Sequence, residues 1–478
     1  CIRDRRRPLF ATVAILTLGL GIGATTAMFS VVDAVLLDTL PFNDPGRLVA
    51  VWQTRPSLRD TPGDDGARWD RYRFAYPQYR ELAEESTVYE GLAAYRAGNP
   101  EIATLVGVGD PVELPAGAAS ASLLSVLDVR PALGRWFLPG EEASRAGDDG
   151  ASVAVLSHEL WQGRFGGSSE MLGSFVTLND RRFEIVGVLP PGFHLRWLSA
   201  SIGGESVPPR REVWFPIGAP GWTAWRNAYS WEILGRLPSE VSLEQARLES
   251  STILAQHPNT AAGGEIRVLP RAIEETHRFA SPLLLLFSAT TILLIIACGN
   301  IATLSMGEVV SRQHEISTRS ALGAGATRII RLLICESLVL ALLGSCFGVL
   351  LAFGGTGVLV ALAPSLPRLY DIGVDLRVFG FAALAGTCAA LLFGTMPSIV
   401  ASRRALSPWV RGSVRISRGR PRFAGVVIAA QIAMVTILLT AGGLITRSLS
   451  HLLTTDPGFD SRDLATVEVL LPSTRYPN

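Results

Sequence analysis

Long runs of uncharged residues dominate the pattern of apolar and polar positions along the chain. They occupy residues 8–32, 280–307, 337–367, 378–402 and 423–446. A helix needs about 20 such residues to cross a bilayer, and one central charge costs about 2.5–3.5 kcal/mol. A buried helix of a soluble protein rarely needs more than about 14. The pattern therefore predicts five membrane spans.

Arginine residues cluster beside these windows and predict how the spans are oriented. Four precede the first window, four lie in 308–336 and seven lie in 403–422, whereas the loop between the third and fourth windows has two, balanced by two Asp. Positively charged loops stay in the cytoplasm. We therefore expect the N-terminus and the segments 308–336 and 403–422 to be cytoplasmic. Residues 39–279 and those after 447 are then outside.

The outside segment between the first two windows mixes strand and helix periodicities. Strands are predicted at 47–54, 151–157, 174–179 and 182–189, and amphipathic helices at 74–86 and 242–256. Ser242 and Gln245 form a capping-box pattern at the start of the second helix. An Asp/Gly-rich loop at 140–151 is a candidate boundary between two lobes. Nine of the ten Trp residues lie in this segment, where core packing is favoured over a ligand surface.

The predicted fold class is thus a membrane α-helical bundle of five spans, with a large α+β extracytoplasmic domain inserted between spans 1 and 2. The expected divisions are an Arg-rich start with span 1 and a stalk (1–38), the outside domain (39–270), a stalk with span 2 (271–307), a cytoplasmic segment (308–336), spans 3 and 4 (337–402), an Arg-rich linker (403–422), and span 5 with the start of a second repeat (423–478).

An internal repeat supports the last division. Span 1 and span 5 are each followed by a short helical pattern, an Asp-Pro-Gly triplet (44–46 and 456–458) and the start of a strand. We expect the chain to hold one four-span unit and the opening of a second, incomplete one.

The amino-acid composition excludes several classes of function. All 43 basic residues are Arg, which excludes a P-loop, Schiff-base or protein-kinase lysine within this chain. The net charge of +1 gives no basic field for nucleic acid. The outside domain contains no Cys, so we expect it to fold without disulfides. Cys1 followed by four Arg favours a cytoplasmic anchor over a lipoprotein, and the first window is too long for a signal peptide.

No pattern points to an active site, a metal or a cofactor. His158-Glu159 and His314-Glu315 match the start of a zinc HExxH motif, but Gln162 and Thr318 stand where the second His belongs. The predicted spans contain Asn300 and Gln431 but no ionisable side chain, which disfavours ion coupling. Four glycines in the spans suit close helix packing, namely Gly19, Gly23, Gly354 and Gly355. We predict that the chain is not an enzyme.

The segment 312–338 is polar although apolar windows flank it. Glu315 and Arg319 are placed for a helical ion pair, and Gly323 and Gly325 end that helix. A turn that merely obeys the charge rule would need fewer residues. We therefore favour a docking helix for a cytosolic partner over a simple turn.

This segment also resembles a known family. HEISTRSALGAGATRIIRLLICESLVLALLG (314–344) is similar to the signature of MacB/FtsX-type ABC permeases, apart from His314 where Arg is usual. Residues 283–304 resemble that family's second span, and 129–142, 156–167 and 178–193 resemble its extracytoplasmic core domain. The repeat resembles the duplicated, acidobacterial-type permeases.

The resemblance implies a permease that works with a separate ABC ATPase, which binds ATP, in a bacterial inner membrane. ATP-driven movement would pass through stalk helices to the outside domain for export or efflux. The residues carried over as ATPase-coupling positions are Glu315, Arg319, Ala321, Leu322, Gly323 and Ala324. A second permease half or protomer, the lipid bilayer and a periplasmic adaptor are further expected partners. The alternative is a regulator or mechanotransmitter of envelope enzymes that translocates nothing.

Overall fold

The chain forms two compact units. The structure, a computed structural model, describes residues 8–38, 40–61, 69–96, 101–142, 151–193, 211–217, 229–257, 264–311, 318, 325–362, 373, 375–405 and 422–454. Of the described residues, one unit contains those up to 38 together with those from 278 to 454, and the other contains those between 40 and 277. A large domain is thus inserted after the first apolar helix, as predicted.

Helix α1 begins the membrane unit and spans Pro8–Val32. It continues without a break into a π-helical stretch, Asp33–Leu37. Asp44, in a left-handed conformation with φ of 44°, and Pro45 then form the turn that leads into the first strand. The first Asp-Pro-Gly triplet therefore precedes a strand, as predicted, whereas residues 456–458 lie outside the described residues.

The inserted domain has mixed α and β structure. Its described strands are β1 Leu48–Gln53, β2 Gly91–Arg96, β3 Glu101–Val106, β4 Val112–Ala119, β5 Leu133–Gly134, β6 Val153–Leu156, β7 Phe175–Leu178, β8 Arg181–Val188, β9 Val213–Pro216, β10 Trp231–Arg236 and β11 Ile266–Pro270. Its described helices are α2 Tyr76–Glu85, α3 Leu123–Leu127, α4 His158–Phe165 and α5 Leu243–Gln256. The four predicted strands correspond to β1, β6, β7 and β8, and the two predicted helices to α2 and α5. The Ser242–Gln245 capping box is also present.

The strand pairings divide the sheet into two parts. The order β11-β1-β10-β2 is antiparallel throughout. From β4 the order continues through β3, β7, β8, β6 and β9, and the parallel β4–β9 pair closes these six strands into a ring. A short β2–β4 pairing at Tyr95 and Ala119 joins the two parts. Most of the predicted lobe boundary at 140–151, namely residues 143–150, lies outside the described residues.

Alternating side chains bury both faces of the four-stranded part. Val49 and Val51 pack against α2 and α5, while Leu48 packs towards α3 on the opposite face. All six residues of β1 are buried, so this strand is covered on both sides. Four of the Trp side chains, those of Trp52, Trp136, Trp214 and Trp231, are at most 7% exposed, which agrees with core packing.

A carboxylate fixes α5 to the turn after α2. Glu249 accepts hydrogen bonds from the backbone of Thr87 and Val88 and from the hydroxyls of Ser86 and Thr87. Partial burial opposes the charge of Glu249, but these hydrogen bonds lower its pKa below the ordinary value. The ionised form is thus the one that the fold stabilises.

Among the described residues, four further helices follow β11. They are α6 Arg271–Ser311, α7 Ala326–Leu362, α8 Leu376–Ala405 and α9 Arg422–Thr454. Within the part of the chain that the structure describes, four helices are long and apolar enough to cross a membrane, over Leu9–Leu37, Phe279–Val309, Thr327–Leu359 and Gly425–His451. The predicted span at 378–402 lies in α8, in which Leu376–Leu392 is a shorter apolar stretch.

Candidate functional site

The two helices that flank the predicted coupling segment are held together at its ends. Val309 near the end of α6 is buried against Ile329 and Leu333 near the start of α7. Gly325 directly precedes α7, and its carbonyl accepts hydrogen bonds from the amides of Arg328 and Ile329 at the start of that helix. The proposed coupling residues Glu315, Arg319, Ala321, Leu322, Gly323 and Ala324 lie outside the described residues, so their roles stay predictions.

Glycines bring α1 and α7 into backbone contact. A Cβ added to Gly23 would lie 2.8 Å from the carbonyl oxygen of Gly348, and one added to Gly344 would lie 2.8 Å from Cβ of Leu18. A Cβ on Gly19 would overlap the ring of Phe347. The sequence reading identified Gly19 and Gly23 for this role but missed their partners, Gly344 and Gly348. We call these four glycines the glycine seam.

The other predicted packing glycines do not belong to the seam. Gly355 is in ordinary contact with Ala27, whereas an added Cβ at Gly354 would meet no atom within 4 Å. Small residues matter in membranes only where a second helix approaches them. The facing residues, which the sequence pattern cannot show, decide which glycines are used.

Three aromatic rings join α1, α6 and α8. Phe29 stacks on Phe381 with ring centroids 4.1 Å apart, and Phe287 lies 6.0–6.3 Å from both. The hydroxyl of Ser30 donates a hydrogen bond of 2.5 Å to the carbonyl of Gly373 just before α8. Dispersion between the rings joins the three helices, and the hydrogen bond adds a polar contact between α1 and the chain just before α8.

Gln431 makes a polar contact between α9 and α6. Its side-chain amide donates to the carbonyl of Ile296 at 3.3 Å, and Gly299 leaves room because an added Cβ would overlap the amide. Such a bond is favourable in a bilayer because no water competes for it. Asn300, the other polar residue noted in the spans, is exposed on the surface of α6.

The C-terminal end of α1 contains an acidic residue that the predicted span did not include. The first window ended at residue 32, but the apolar helix continues to Leu37, so Asp33 lies within it and is 8% exposed. Asp38, just beyond, forms an ion pair of 3.6 Å with Arg377 at the start of α8. π-Helical turns are often found at functional positions.

A buried group of charged residues lies where the two parts of the sheet meet. The side chain of Arg211 crosses β4 at Gly117, where a Cβ would overlap it, and donates to the carbonyl of Arg96. Burial lowers the pKa of Arg211 to about 9, while the nearby carboxylate of Glu232 acts in the opposite direction. Glu232 also accepts a hydrogen bond of 2.7 Å from the hydroxyl of Tyr95.

The motifs rejected as zinc sites have ordinary contacts where the structure describes them. His158 packs edge-on against Trp161, and Glu159 accepts from the amide of Gly192. Across the described ranges, no group of three His, Cys, Asp or Glu residues is placed to hold a metal ion. His314 and Glu315 lie outside those ranges.

The two ends of the inserted domain meet in one pair of strands. β1, which follows α1, pairs antiparallel with β11, which precedes α6, over Val49–Gln53 and Ile266–Pro270. Long apolar helices, with an α+β domain inserted between the first two, define a multi-pass membrane protein.

Comparison with known proteins identifies the family. Residues 11–251 match the model of the MacB-like periplasmic core domain, and residues 287–406 match that of the FtsX-like permease C-terminal region. The first match covers half of the chain, so this protein belongs to the MacB/FtsX-type family of ABC-transporter permeases, which are multi-pass proteins of the inner membrane.

Several curated relatives are similar over part of their length. The macrolide export ATP-binding/permease protein MacB of Azoarcus sp. is 26% identical over 57% of this chain and 39% of the relative. The pyoverdine export ATP-binding/permease protein PvdT of Pseudomonas syringae pv. tomato is 24% identical over 66% of this chain and 43% of the relative. The chain thus spans about two fifths of the length of these relatives.

Two solved structures are similar to about half of this chain. The periplasmic region of MacB from Actinobacillus actinomycetemcomitans is 13% identical, with a TM-score of 0.32, over 49% of this chain and 93% of that chain. The extracellular domain of the noncanonic ABC-type transporter YknZ from Gram-positive bacteria is also 13% identical, with a TM-score of 0.32, over 46% and 99%.

Proposed function

We propose that the chain is a permease subunit that couples ATP hydrolysis by a separate ABC ATPase to movement of its outside domain, for export across the cell envelope. The N-terminus and the segment 308–336 are cytoplasmic in this proposal, which follows the arginine distribution. A second permease half or protomer and a periplasmic adaptor are the further proposed partners. We assign no catalytic step to this chain.

The continuity of α6 carries the proposal. Pro270 ends β11 and Arg271 begins α6, with no residue between them, and α6 ends at Ser311, where the coupling segment starts. At 1.5 Å per residue, a helix of 41 residues is roughly 60 Å long. One helix therefore joins the sheet of the outside domain to the proposed docking segment.

The coupling positions form the proposed interface with the ATPase. Glu315 and Arg319 would present paired charges on one helix face, and Gly323 would set the angle at which that helix leaves α7. Ala321, Leu322 and Ala324 would supply its small apolar contacts. These positions contact a partner and perform no chemistry.

The glycine seam supports a mechanical role. Backbone contact between α1 and α7 leaves no room for a substrate between these two helices. A regulator of envelope enzymes, moving its outside domain without translocation, would use the same contact and is the second candidate function.

The test is ATP hydrolysis by the ATPase that copurifies with the full-length gene product, in nanodiscs. Arg319→Glu places like charges at i and i+4, which costs the helix roughly a few tenths of a kcal/mol, but a like-charge contact at an interface costs several. Stimulated hydrolysis should be lost while expression and monodispersity stay unchanged. Arg247→Glu places like charges at i and i+3, opposite Glu244 on α5 of the outside domain, and should leave stimulation intact.

Undiminished stimulation in the Arg319 variant would refute the coupling role. The phenotype of cells that lack the gene distinguishes export from regulation. Accumulation of a secreted compound indicates export, and loss of wall hydrolysis without accumulation indicates regulation.

A further inference from the structure

The first turn of α6 is attached to the outside domain at a second point besides its peptide bond to β11. Glu274 lies in that turn and is 3% exposed. Both of its carboxylate oxygens accept hydrogen bonds from Nε of Arg71, at 2.9 and 3.1 Å. A buried, charge-assisted contact of this kind is far less screened than a surface ion pair.

The residues around Arg71 are fixed to the sheet. Tyr72 exchanges two backbone hydrogen bonds with Gln53 at the end of β1, and Phe74 does the same with Trp231 at the start of β10. Arg71 therefore cannot move far without disturbing two central strands.

A second ion pair connects the same segment to β11. Asp70 accepts a hydrogen bond of 3.0 Å from Nη1 of Arg71 and another from Nη1 of Arg267 on β11. Arg71, Asp70, Arg267 and Glu274 thus form a network that we call the Arg71 clasp. It links the last strand of the domain, the segment after residue 69 and the first turn of α6.

The Arg71 clasp restrains the direct junction between β11 and α6. A helix that follows a strand with no residue between them can change direction through the backbone torsions at that boundary. A side-chain contact three residues into the helix limits this change of direction. On the α1 side, by contrast, residues 38–47 separate Leu37 from β1, so movement of α1 reaches the sheet less directly.

We propose that Arg71 is a positioning residue that transmits movement of α6 into β1 and β11 through Glu274. This inference rests on the proposed function. In this proposal the ion pair between Arg71 and Glu274 passes the movement of α6 to strands β1 and β11.

The experiment is hydrogen–deuterium exchange on the full chain in nanodiscs with its copurified ATPase, with and without ATP and orthovanadate. In the wild type, the nucleotide should change exchange both in the last turns of α6 and in β1 and β11. In Arg71→Met the change in β1 and β11 should fall at least fivefold, while the change in α6 persists. Arg80→Met, which removes an exposed partner of Glu84 on α2, is the matched control and should behave as the wild type.

A charge swap separates lost coupling from lost folding. Arg71→Met leaves a buried carboxylate without its main partner, so the variant itself could be less stable. Arg71→Glu combined with Glu274→Arg restores opposite charges and should recover at least half of the wild-type response. Unchanged exchange of β2 and β10 without nucleotide confirms that each variant is folded.

Each outcome tests either the Arg71 clasp or the proposed function. A wild-type response in Arg71→Met, a swap that recovers nothing, or a wild-type change confined to α6 would overturn the clasp. No nucleotide-dependent change in wild-type α6 would instead refute the proposed function.

Discussion

Replacing Gly348 with valine is expected to separate α1 from α7. A Cβ at this position would lie 3.0 Å from both the carbonyl oxygen of Gly19 and the amide nitrogen of Gly23. Carbon–oxygen contacts between helices are normally about 3.3–3.6 Å, so even one methyl group requires a separation of roughly 0.5 Å. A gap of about 0.5–1 Å already loses a quarter to a half of each dispersion contact. We therefore expect destabilisation of about 1–3 kcal/mol.

The buried thiol of Cys298 provides the assay. It is 4% exposed and packs in the bundle near Leu18, so a thiol-reactive dye reports opening of the bundle. The other cysteines are first replaced by Ser, and labelling is followed while SDS is added to detergent micelles. Gly348→Val should react at a lower SDS fraction than the wild type. Gly354→Val is the matched control, since its side chain would enter open space, and should change stability by less than about 0.5 kcal/mol. Equal labelling of both variants would refute the role of the seam.

Three further predictions follow from the fold and the charges. The fragment 45–277, which keeps the first turn of α6, should fold alone in a reducing cytoplasm, and a non-cooperative melt followed by circular dichroism would contradict this. In a Cys-free background, an impermeant thiol reagent should label a Cys placed at Ser144 but not one at Ser317, and labelling at position 317 in intact cells would reverse the topology. Because the pKa of Glu249 is lowered in the folded state, its stabilisation is present above about pH 4.3 and is lost as the pH falls through the folded-state pKa. Glu249→Gln should therefore lower the melting temperature of the fragment by several degrees at pH 7 and by progressively less as the pH falls below about 4.3, and a drop that does not depend on pH would contradict this; the exposed control Glu244→Gln should change little.

Local patterns were sufficient for many individual elements. Strand β1 at Leu48–Gln53 and helix α5 at Leu243–Gln256 lie within two residues of their predicted limits. Alternation and capping are properties of neighbouring residues, so the sequence contains them directly. The order of the strands could not be predicted in this way. β4 pairs with β9, which lies far along the chain, and no local pattern encodes that pairing.

The coupling segment likewise has one feature that the sequence predicted and another that only packing decided. The sequence predicted a break in the helix at Gly325, and in the structure this residue directly precedes the first turn of α7. That Val309 and Ile329 bring the two ends of the segment together depends on how α6 packs against α7. The roles of Glu315 and Arg319 remain predictions based on resemblance and spacing.

By itself the sequence determined that this protein has long apolar helices before and after an inserted α+β domain. Placing a charge in a bilayer is costly, so long runs of uncharged residues are sufficient to predict such helices. Only the tertiary structure decided that Gly348 rather than Gly354 faces α1, and that Arg71 meets Glu274 about two hundred residues later. Such contacts depend on which surfaces meet once every element is packed. The sequence states the composition of each surface, but the partner of that surface is set by the packing of the whole chain.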